Sequence, residues 1–340
     1  MSLRVAVIGA GHIGSHHLEA YHLHPEVEIV AICDLLREKS EEAVGKFGGA
    51  AYSNVASMLK DEQIDIVSVC SAGAQNGSHH FGPVMQCLNA RKNVLCEKPL
   101  SNQLTEARAM VQKADQMGVY FGTDLNHRFT PQAEKAKEWV TNGTLGQVLL
   151  ANVTLWIDNP ADRSPWFHIR ALHPHSIDVL RYYCGKAVKV HAFFNRAPRE
   201  DGPDGKRVCW SNVQVNILFE NGAVGHLTGS YDANPRLNLE RTEVMGTEGR
   251  FVIDNCFEKV TLYPRHSQEL TVIPNALFGG IPNFDHTIVR RVHFWIDQII
   301  AEVPKDKIEA SGRDGLAVQE IIEAAITSWE EERVVDVENG

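Results

Sequence analysis

Two side chains of this 340-residue chain stand where they could hold an oxygen or take a proton, Lys98 and His175. Lys98 follows the run Asn93–Cys96, which is typical of a strand buried in a parallel sheet. A lysine at the carboxyl end of such a strand lies where open α/β sheets hold their ligands, and it can donate a hydrogen bond to a hydroxyl or carbonyl oxygen. An isolated Glu97-Lys98-Pro99 would instead be a surface ion pair, so the ligand-binding interpretation depends on the surrounding sheet.

His175 lies in a histidine-rich segment that runs from Trp166 to Asp178. Pro174 suits the first turn of a helix. Imidazole titrates near pH 7, so His175 can take the proton of an alcohol while a hydride leaves the carbon. Two alternatives stay open: His173 and His175 could only cap or pack a helix, or they could bind a metal ion. No carboxylate or cysteine at an obvious ligand spacing supports a metal site, and we expect none.

A glycine-rich turn near the N-terminus predicts a dinucleotide site. The apolar run Val5–Ile8 suits a buried strand, and glycines in the spacing G-x-G-x-x-G follow it. Such glycines allow a tight turn, a close approach of the backbone to a pyrophosphate and close packing of the next helix, whose N-terminus would face the phosphates. The residues of this turn expected to contact the cofactor are Gly9, Gly11, His12, Ile13 and Gly14.

An acidic residue after the second strand bears on the choice of cofactor. The run Val27–Cys33 reads as a strand and ends in Asp34. A carboxylate there bonds the ribose hydroxyls and repels a 2′-phosphate, so NAD is favoured over NADP. Leu35 and Leu36 follow instead of an arginine, although Arg37 is near enough to contact the cofactor and to keep NADP as the less favoured alternative.

Polar and aromatic side chains are interleaved between residues 158 and 170. This mixture suits a sugar-like ligand, whose hydroxyls need donors and acceptors and whose C–H faces need an aromatic surface. Arg163 and Arg170 could equally hold a phosphate or carboxylate, and a solvated loop is the plain alternative. The side chains concerned are Asp158, Asn159, Asp162, Arg163, Trp166, His168 and Arg170.

Up to about residue 123, the segments that would position these side chains alternate between strand and helix. Apolar runs at 5–8, 27–33, 64–70, 93–96 and 119–122 are separated by segments with helical spacing of apolar residues. This alternation predicts an α/β Rossmann domain, a doubly wound parallel sheet, over residues 1–123.

Residues 124–340 predict an α+β substrate and oligomerisation domain with a mostly antiparallel, open-faced sheet. An open sheet face needs cover, so we expect a homodimer or homotetramer that forms through it. Asn221-Gly222 marks a tight turn between two of the strands. Strands are expected at 147–157, 188–195, 211–220, 222–231, 241–245 and 250–255, and helices at 131–142, 174–184, 284–301 and 312–332.

Composition narrows the class of protein. The formal net charge of -10 argues against a generally basic surface that binds nucleic acid. No apolar run approaches the ~18 residues of a membrane span, and the chain starts directly with a core strand. We therefore expect no membrane association, no signal peptide and a cytoplasmic location. The seven cysteines are scattered without a C-x-x-C pair, so buried free thiols are expected instead of a zinc or disulfide framework.

Together these motifs resemble the glucose–fructose oxidoreductase/inositol dehydrogenase (Gfo/Idh/MocA) family over essentially the whole chain. The resemblance implies an NAD(P)-dependent oxidoreductase that acts on a secondary hydroxyl of a sugar, cyclitol or related polyol, with Lys98 and His175 as the catalytic lysine and histidine. The motifs that carry it are Gly9-x-Gly11-x-x-Gly14, Asp34, Glu97-Lys98-Pro99, Asn126-x-Arg128-Phe129, His175-x-x-Asp178 and Gly246-Thr247-Glu248-Gly249.

The same resemblance extends the set of expected contacts beyond the catalytic pair. It implies that the loop with Ser71, Gly73 and His79 or His80 borders the nicotinamide end of the cofactor. Glu97, Lys98 and Asn126 are expected beside the cofactor. The residues expected around the substrate are Lys98, Asn126, Arg163, Trp166, His168, Arg170, His173, His175 and Asp178.

Two departures from the family pattern bear on the chemistry. The position four residues before the catalytic histidine is usually aspartate and is Ala171 here, and the loop after Cys70 is about three residues longer than usual. Either His175 works without that partner, or His173 or Asp178 substitutes, or the chemistry differs. Two other functions stay open: redox-neutral, NAD-dependent processing of a glycoside, and a non-catalytic ligand sensor on the same scaffold.

Overall fold

The computed structural model describes residues 2–232, 240–277 and 279–338. The described chain divides into two compact units. The first comprises the residues up to Asn126 together with Asn283–Leu316, and the second comprises His127–Pro282 and the residues from Ala317 onward.

The first unit contains a six-stranded parallel sheet in the order β3-β2-β1-β4-β5-β6, as predicted for a Rossmann domain. Its strands are β1 (Leu3–Ile8), β2 (Val27–Cys33), β3 (Ala50–Tyr52), β4 (Ile66–Val69), β5 (Asn93–Cys96) and β6 (Phe121–Thr123). Its helices are α1 (His12–Leu23), α2 (Arg37–Phe47), α3 (Val55–Asp61), α4 (Phe81–Asn89), α5 (Leu104–Met117) and α9 (His286–Ile300).

Alternate side chains of the central strand enter two separate cores, which makes the sheet doubly wound. Ala6 and Ile8 pack with apolar residues of α4 and α5. Val5 and Val7 point to the opposite face, where α1 and α9 cover them. Because Val5–Ile8 of β1 are buried on both faces of the sheet, this part of the sequence is a continuous apolar run.

The position of α9 corrects the predicted division of the chain into 1–123 and 124–340. Val292, Trp295 and Ile296 of this helix are buried in the same core as Val5 and Val7 of β1. The chain therefore returns to the first unit after leaving it for more than 150 residues. The apolar spacing of α9 predicts a helix with a buried face and gives no sign of which sheet that face covers.

The second unit contains a nine-stranded sheet in the order β14-β13-β12-β11-β7-β10-β9-β8-β15. Its neighbouring strands are antiparallel except β7 and β10, which run parallel, so the predicted mostly antiparallel sheet is confirmed. The strands are β7 (Val148–Trp156), β8 (Ala187–Asn195), β9 (Asn212–Phe219), β10 (Val224–Ser230), β11 (Glu240–Gly246), β12 (Gly249–Asp254), β13 (Lys259–Pro264), β14 (Thr271–Pro274) and β15 (Val335–Asp336).

Among the described residues, the second unit has three helices and part of a fourth. They are α6 (Pro131–Thr141), α7 (Phe167–Ala171) and α8 (His173–Cys184), and the boundary between the units falls after Leu316, within α10 (Gly312–Glu330). The predicted Asn221-Gly222 turn joins β9 and β10, with Gly222 at φ +87°. None of the helices among the described residues is long and apolar enough to span a membrane.

One face of this sheet carries a row of exposed apolar side chains. Met245, Leu150, Val224 and Leu218 pair in register across β11, β7, β10 and β9, and each is exposed. The alternate residues Val153, Val215 and Leu227 are buried on the other face.

Candidate active site

Two glycines of the turn after β1 are required by the packing of the protein itself. Gly9 has φ +93°, and a Cβ there would lie 2.9 Å from the carbonyl carbon of Cys70. A Cβ on Gly14 would lie 1.8 Å from the carbonyl oxygen of Gly9, closer than two such atoms can approach. Gly9 thus sets the turn, and Gly14 lets α1 pack against it.

Gly11 differs because the protein does not need the space beside it. A Cβ built on Gly11 would have no heavy atom of the described chain within 4 Å. Gly11 is also the N-cap residue of α1, and no side chain caps this helix end. The N–H groups of the first turn of α1, including those of His12 and Ile13, lack intrahelical partners. This open helix N-terminus fits a diphosphate.

Asp34 is fixed at the carboxyl end of β2 by two backbone groups. Its Oδ2 accepts a hydrogen bond from the Ala10 N–H at 2.8 Å, and its Oδ1 accepts one from the Leu36 N–H at 2.9 Å. The acid and the glycine-rich turn are therefore linked directly. Arg37 instead donates from Nε to Glu41 at 2.7 Å, one turn along α2.

Lys98 directly follows Glu97 after β5, and its peptide bond to Pro99 is cis. Its backbone N–H donates to Glu97 Oε2 at 3.2 Å. Burial lowers the pKa of the Lys98 ammonium from its usual 10.5, and the carboxyl groups of Glu97 and Asp124 oppose this shift. Lys98 is therefore a cationic donor that releases its proton more easily than a surface lysine.

A buried histidine–carboxylate cluster beside Lys98 was not predicted from the sequence. His17 Nε2 lies 3.1 Å from Glu97 Oε1 and 3.2 Å from Asp124 Oδ2, and His17 Nδ1 lies 3.1 Å from Ser68 Oγ. Burial alone would lower the pKa of His17, but Cys70, Asp124 and Glu97 together raise it well above 6.5. Its partners come from separate segments of the chain, and no spacing in the sequence connects them.

The pKa values of Glu97 and Asp124, the two carboxyl groups of this cluster, are shifted in opposite directions. Burial and the neighbouring Asp124 raise the pKa of Glu97. Burial opposes ionisation of Asp124 as well, but the interactions with His17, Arg291 and Glu97 together outweigh it and lower the pKa of Asp124. His17 and Asp124 are thus an imidazolium–carboxylate pair, and Glu97 is the group that takes up a proton first.

Hydrogen bonds from side chains to backbone carbonyls hold the loop after β4 in place. Ser71 Oγ donates to the His79 carbonyl at 3.0 Å, and Gly73 has φ +78°. His80 is fully buried, and its Nδ1 donates to the Pro99 carbonyl at 2.8 Å. Burial lowers the pKa of His80 to about 4, so it is a neutral anchor between this loop and the segment that follows Lys98.

In the second unit, His168 and His173 form a buried pair where α7 meets α8. Their Nε2 atoms lie 3.0 Å apart, His168 Nδ1 donates to the Trp210 carbonyl, and His173 Nδ1 contacts Ser176 Oγ. Burial lowers the pKa of His168 to about 3 and that of His173 well below 6.5. All four ring nitrogens are engaged, so this geometry does not support the substrate contacts predicted for the two rings.

The start of α8 fits closely against β10. A Cβ on Gly229 would lie 2.0 Å from His173 Nε2, so the imidazole fills the space that this glycine leaves. Pro174 lies in the first turn of α8, as its position in the sequence predicts. The neutral His168–His173 pair thus fixes the helix that carries His175.

His175 stacks on His127, a residue that the sequence analysis did not single out. The two ring centroids lie 4.1 Å apart with an interplanar angle of 1°. His127 Nδ1 lies 2.6 Å from Glu240 Oε2, and both side chains are buried. Asp178, one turn along α8, is buried in a bidentate ion pair with Arg128.

The remaining predicted substrate residues are also partnered. Arg170 donates from Nε and one terminal nitrogen to Glu323, at 3.0 and 2.7 Å. The Arg163 guanidinium lies 5.5 Å from the centre of the Phe167 ring, and Trp166 stacks with Trp210. Asn126 belongs to the first unit, where its Nδ2 donates to Thr287 Oγ1 at 2.6 Å.

Among the described residues, two buried clusters each bring three oxygen, nitrogen or sulfur atoms within 4.8 Å of one another. They are His17-Glu97-Asp124 and His127-Glu240-Cys256. The His17–Glu97 and His127–Glu240 contacts, at 3.1 and 2.6 Å, are hydrogen bonds and are shorter than the spacing of ligand atoms around a tetrahedral ion. Hydrogen bonding therefore accounts for these two contacts.

The parallel sheet, the open glycine turn and the acid at the end of β2 define a dinucleotide-dependent oxidoreductase. The family model described as "Oxidoreductase family, NAD-binding Rossmann fold" matches residues 3–125, and the GFO/IDH/MocA C-terminal domain model matches residues 133–252. The chain belongs to the Gfo/Idh/MocA family of oxidoreductases, and its relatives are named dehydrogenases.

Individual relatives match most of the chain. It is 28% identical to the myo-inositol 2-dehydrogenase of Thermotoga maritima, over 99% of both chains. It is 34% identical to the D-glucoside 3-dehydrogenase of Escherichia coli, over 78% of both. Among solved structures, a levoglucosan dehydrogenase in complex with NADH and L-sorbose covers 100% of both chains with a TM-score of 0.88, and at 24% identity this likeness shows the fold.

Proposed function

We propose that this protein oxidises a secondary hydroxyl of a neutral cyclic polyol or glycoside and transfers the hydride to NAD. One observation carries the proposal: the carboxyl edge of a single parallel sheet presents the open helix N-terminus at Gly11, the anchored Asp34 and the half-buried Lys98. That edge is where sheets of this class bind a dinucleotide, and Lys98 is the added group that can hold an oxygen there.

The preference for NAD over NADP is supported by the two charged residues nearest the expected ribose. Asp34 is held with its carboxylate at the strand end, where it would bond two ribose hydroxyls and repel a 2′-phosphate. Arg37 is paired with Glu41, so its charge is already balanced. The structure of a relative with bound NADH is consistent with this preference.

The proposed roles follow from the chemistry of the two side chains. The bound nicotinamide supplies the hydride acceptor. Lys98 donates a hydrogen bond to the substrate hydroxyl and stabilises the negative charge that grows on its oxygen. His175 takes the hydroxyl proton, which leaves a carbonyl product and an imidazolium. Ser71, Gly73, His79, Glu97 and Asn126 are proposed cofactor contacts.

A neutral substrate is favoured because Arg163 and Arg170, the two arginines predicted to contact the substrate, are both engaged within the protein. Arg170 is neutralised by Glu323, and Arg163 lies over Phe167, so a dedicated phosphate site is not favoured. Trp166 offers an aromatic surface of the kind that sugars use. The relatives named for myo-inositol and D-glucosides act on substrates of this chemical class.

The test is a panel of inositols, hexoses, glycosides and sugar phosphates with NAD and NADP, read by NADH absorbance. We expect turnover with a neutral polyol and NAD. Lys98→Met and His175→Asn should each lower kcat at least about a hundredfold while NADH still binds. Lys92→Met and His22→Asn are controls away from the proposed site and should keep full activity.

Three outcomes would contradict this proposal. They are full activity of either site variant, product formation without net NADH, and tight NAD binding without turnover of any compound in the panel. The second outcome would indicate redox-neutral glycoside processing, and the third would indicate a ligand sensor.

We also propose a homodimer or homotetramer that forms through the open face of the second sheet. Its apolar row of Met245, Leu150, Val224 and Leu218 is the kind of continuous patch that another subunit covers.

All seven cysteines lie among the described residues and are free thiols, which supports a reducing compartment such as the cytoplasm.

A further inference from the structure

The proposed base His175 has an unusual neighbour, the parallel ring of His127. The centroid distance of 4.1 Å and the interplanar angle of 1° show that the two imidazoles are stacked in parallel. A charge that forms on His175 is therefore felt directly by His127. The stack joins α8 to the segment that follows β6, so it links two elements that are far apart in the sequence.

His127 is in turn bonded to a carboxylate. Glu240, the first residue of β11, lies with Oε2 2.6 Å from His127 Nδ1, and each side chain is about 3% exposed. A carboxylate buried to this degree is retained only with a strong partner, and a short bond to an imidazole N–H is such a partner. The bond also fixes the His127 ring and hence the surface against which His175 packs.

Neither alternative partner suggested by the sequence is placed to take this role. Asp178 is already bonded through both oxygens to Arg128, so its charge is compensated. His173 is bonded to His168 and Ser176, and burial keeps it neutral. Ala171, at the position where aspartate is usual in the family, has no charge to offer.

The other groups that face Glu240 do not compete with His127 for its charge. Burial raises the pKa of Cys256, with a further rise from Glu240, so the thiol remains neutral. Burial likewise raises the pKa of Tyr183 on α8. Among the described residues, the charged side chains named around this site are thus the Arg128–Asp178 pair and Glu240, which is hydrogen-bonded to His127.

We propose that Glu240, acting through His127, is the carboxylate that positions His175 and stabilises the positive charge it acquires on taking the substrate proton. This rests on the proposed role of His175 as the base. The hydroxyl proton moves to His175, and no covalent bond to Glu240 or His127 is made or broken. Both are positioning residues: Glu240 orients the His127 ring, and its negative charge lowers the free energy of an imidazolium in the stack.

The test compares Glu240→Gln, His127→Phe and the double variant with wild type. Glutamine keeps an acceptor for the His127 N–H without the charge, and phenylalanine keeps a flat ring against His175 without the link to Glu240. We expect each to lower kcat about 10- to 100-fold and to change KM less than about threefold. NADH affinity, which depends on the first unit, should be unchanged, and a urea unfolding curve like that of wild type shows that the variants are folded.

The double variant tests whether Glu240 acts through His127. If it does, the losses do not add, and the double variant is no slower than His127→Phe alone. Glu243→Gln is the matched control, because Glu243 lies on the same strand in a partly exposed pair with Arg250, and it should keep wild-type kcat.

Different results would overturn this inference and the proposed function. If His175→Asn is inactive but Glu240→Gln keeps kcat within twofold of wild type, the positioning role is wrong and the base assignment stands. Additive losses in the double variant, or a loss confined to KM, would also reject the positioning role. If His175→Asn is fully active, the proposed function fails first.

Discussion

Gly11 and Gly14 belong to the same turn and serve different partners. A side chain on Gly14 would collide with the Gly9 carbonyl, whereas a side chain on Gly11 would meet none of the described atoms. Gly11 therefore leaves room for the proposed cofactor, and Gly14 is required by the fold.

Gly11 and Gly14 should therefore respond differently to substitution by alanine. Gly11→Ala should change the free energy of unfolding by less than about 1 kcal/mol, a typical N-cap effect, but weaken NADH binding at least about tenfold. Gly14→Ala should destabilise the protein by about 3 kcal/mol or more, because a Cβ there cannot be accommodated without moving α1. Urea unfolding and NADH fluorescence titration measure the two effects. Equal NADH affinity in Gly11→Ala and wild type would contradict the proposed phosphate site.

Site residues could be predicted where the backbone pattern identifies them. Lys98 and Asp34 each follow a buried strand, and the ends of parallel strands meet at one edge of the sheet. His17, His127 and Glu240 could not be found this way. Their partners are 80, 48 and 113 residues away in the chain, and a lone buried polar residue gives no periodic signal.

At the scale of elements, three neutral histidines hold the segments around the site. His80 joins the loop after β4 to Pro99, and His168 and His173 join α7 to α8. Each is kept uncharged by burial. Unfolding exposes these rings and lets them take up protons, so the junctions they form weaken in acid.

For His80, the pKa shift gives both the direction and the size of the change in unfolding free energy with pH. Its folded-state pKa of about 4 lies below the unfolded value near 6.5, so the unfolded chain binds more protons between these pH values. The unfolding free energy therefore falls as pH drops from 6.5 to 4, by roughly 3 kcal/mol for this residue.

His80→Asn should remove that part of the acid sensitivity. Asparagine can still donate to the Pro99 carbonyl and has no proton to gain. Urea unfolding at pH 7 and pH 4.5 should show a smaller loss of stability in the variant than in wild type. His22→Asn, on the exposed side of α1, is the control and should behave as wild type. An unchanged difference between the two pH values in His80→Asn would show that His80 does not titrate on unfolding.

The sequence predicts where helices and strands lie better than it predicts which of them pack together. The six strands predicted for residues 147–255 correspond to β7–β12 within two residues at each end, because alternation of buried and exposed residues marks them. The strands β3, β13, β14 and β15 and the five-residue helix α7 were missed. The placement of α9 could not be predicted either, since an apolar face does not specify which sheet it covers.

At the scale of the whole molecule, the exposed apolar row on the second sheet makes the assembly testable. Leu150→Asp places a charge in the middle of that row, next to Val224 and Met245 in register. We expect wild type to elute at the mass of a dimer or tetramer and Leu150→Asp to shift toward the monomer in light scattering. Asn89→Asp, which adds the same charge at an exposed position of α4 in the first unit, is the control. A monomeric wild type would contradict the proposed assembly.

The central claim is that this chain moves a hydride from a polyol carbon to NAD. The most direct measurement uses the best substrate of the panel, deuterated at the carbon that is oxidised, and determines the mass of the NADH formed. Direct hydride transfer to NAD should give one deuterium per NADH and a matching amount of carbonyl product. NADH without deuterium, or product formed without any NADH, would contradict it.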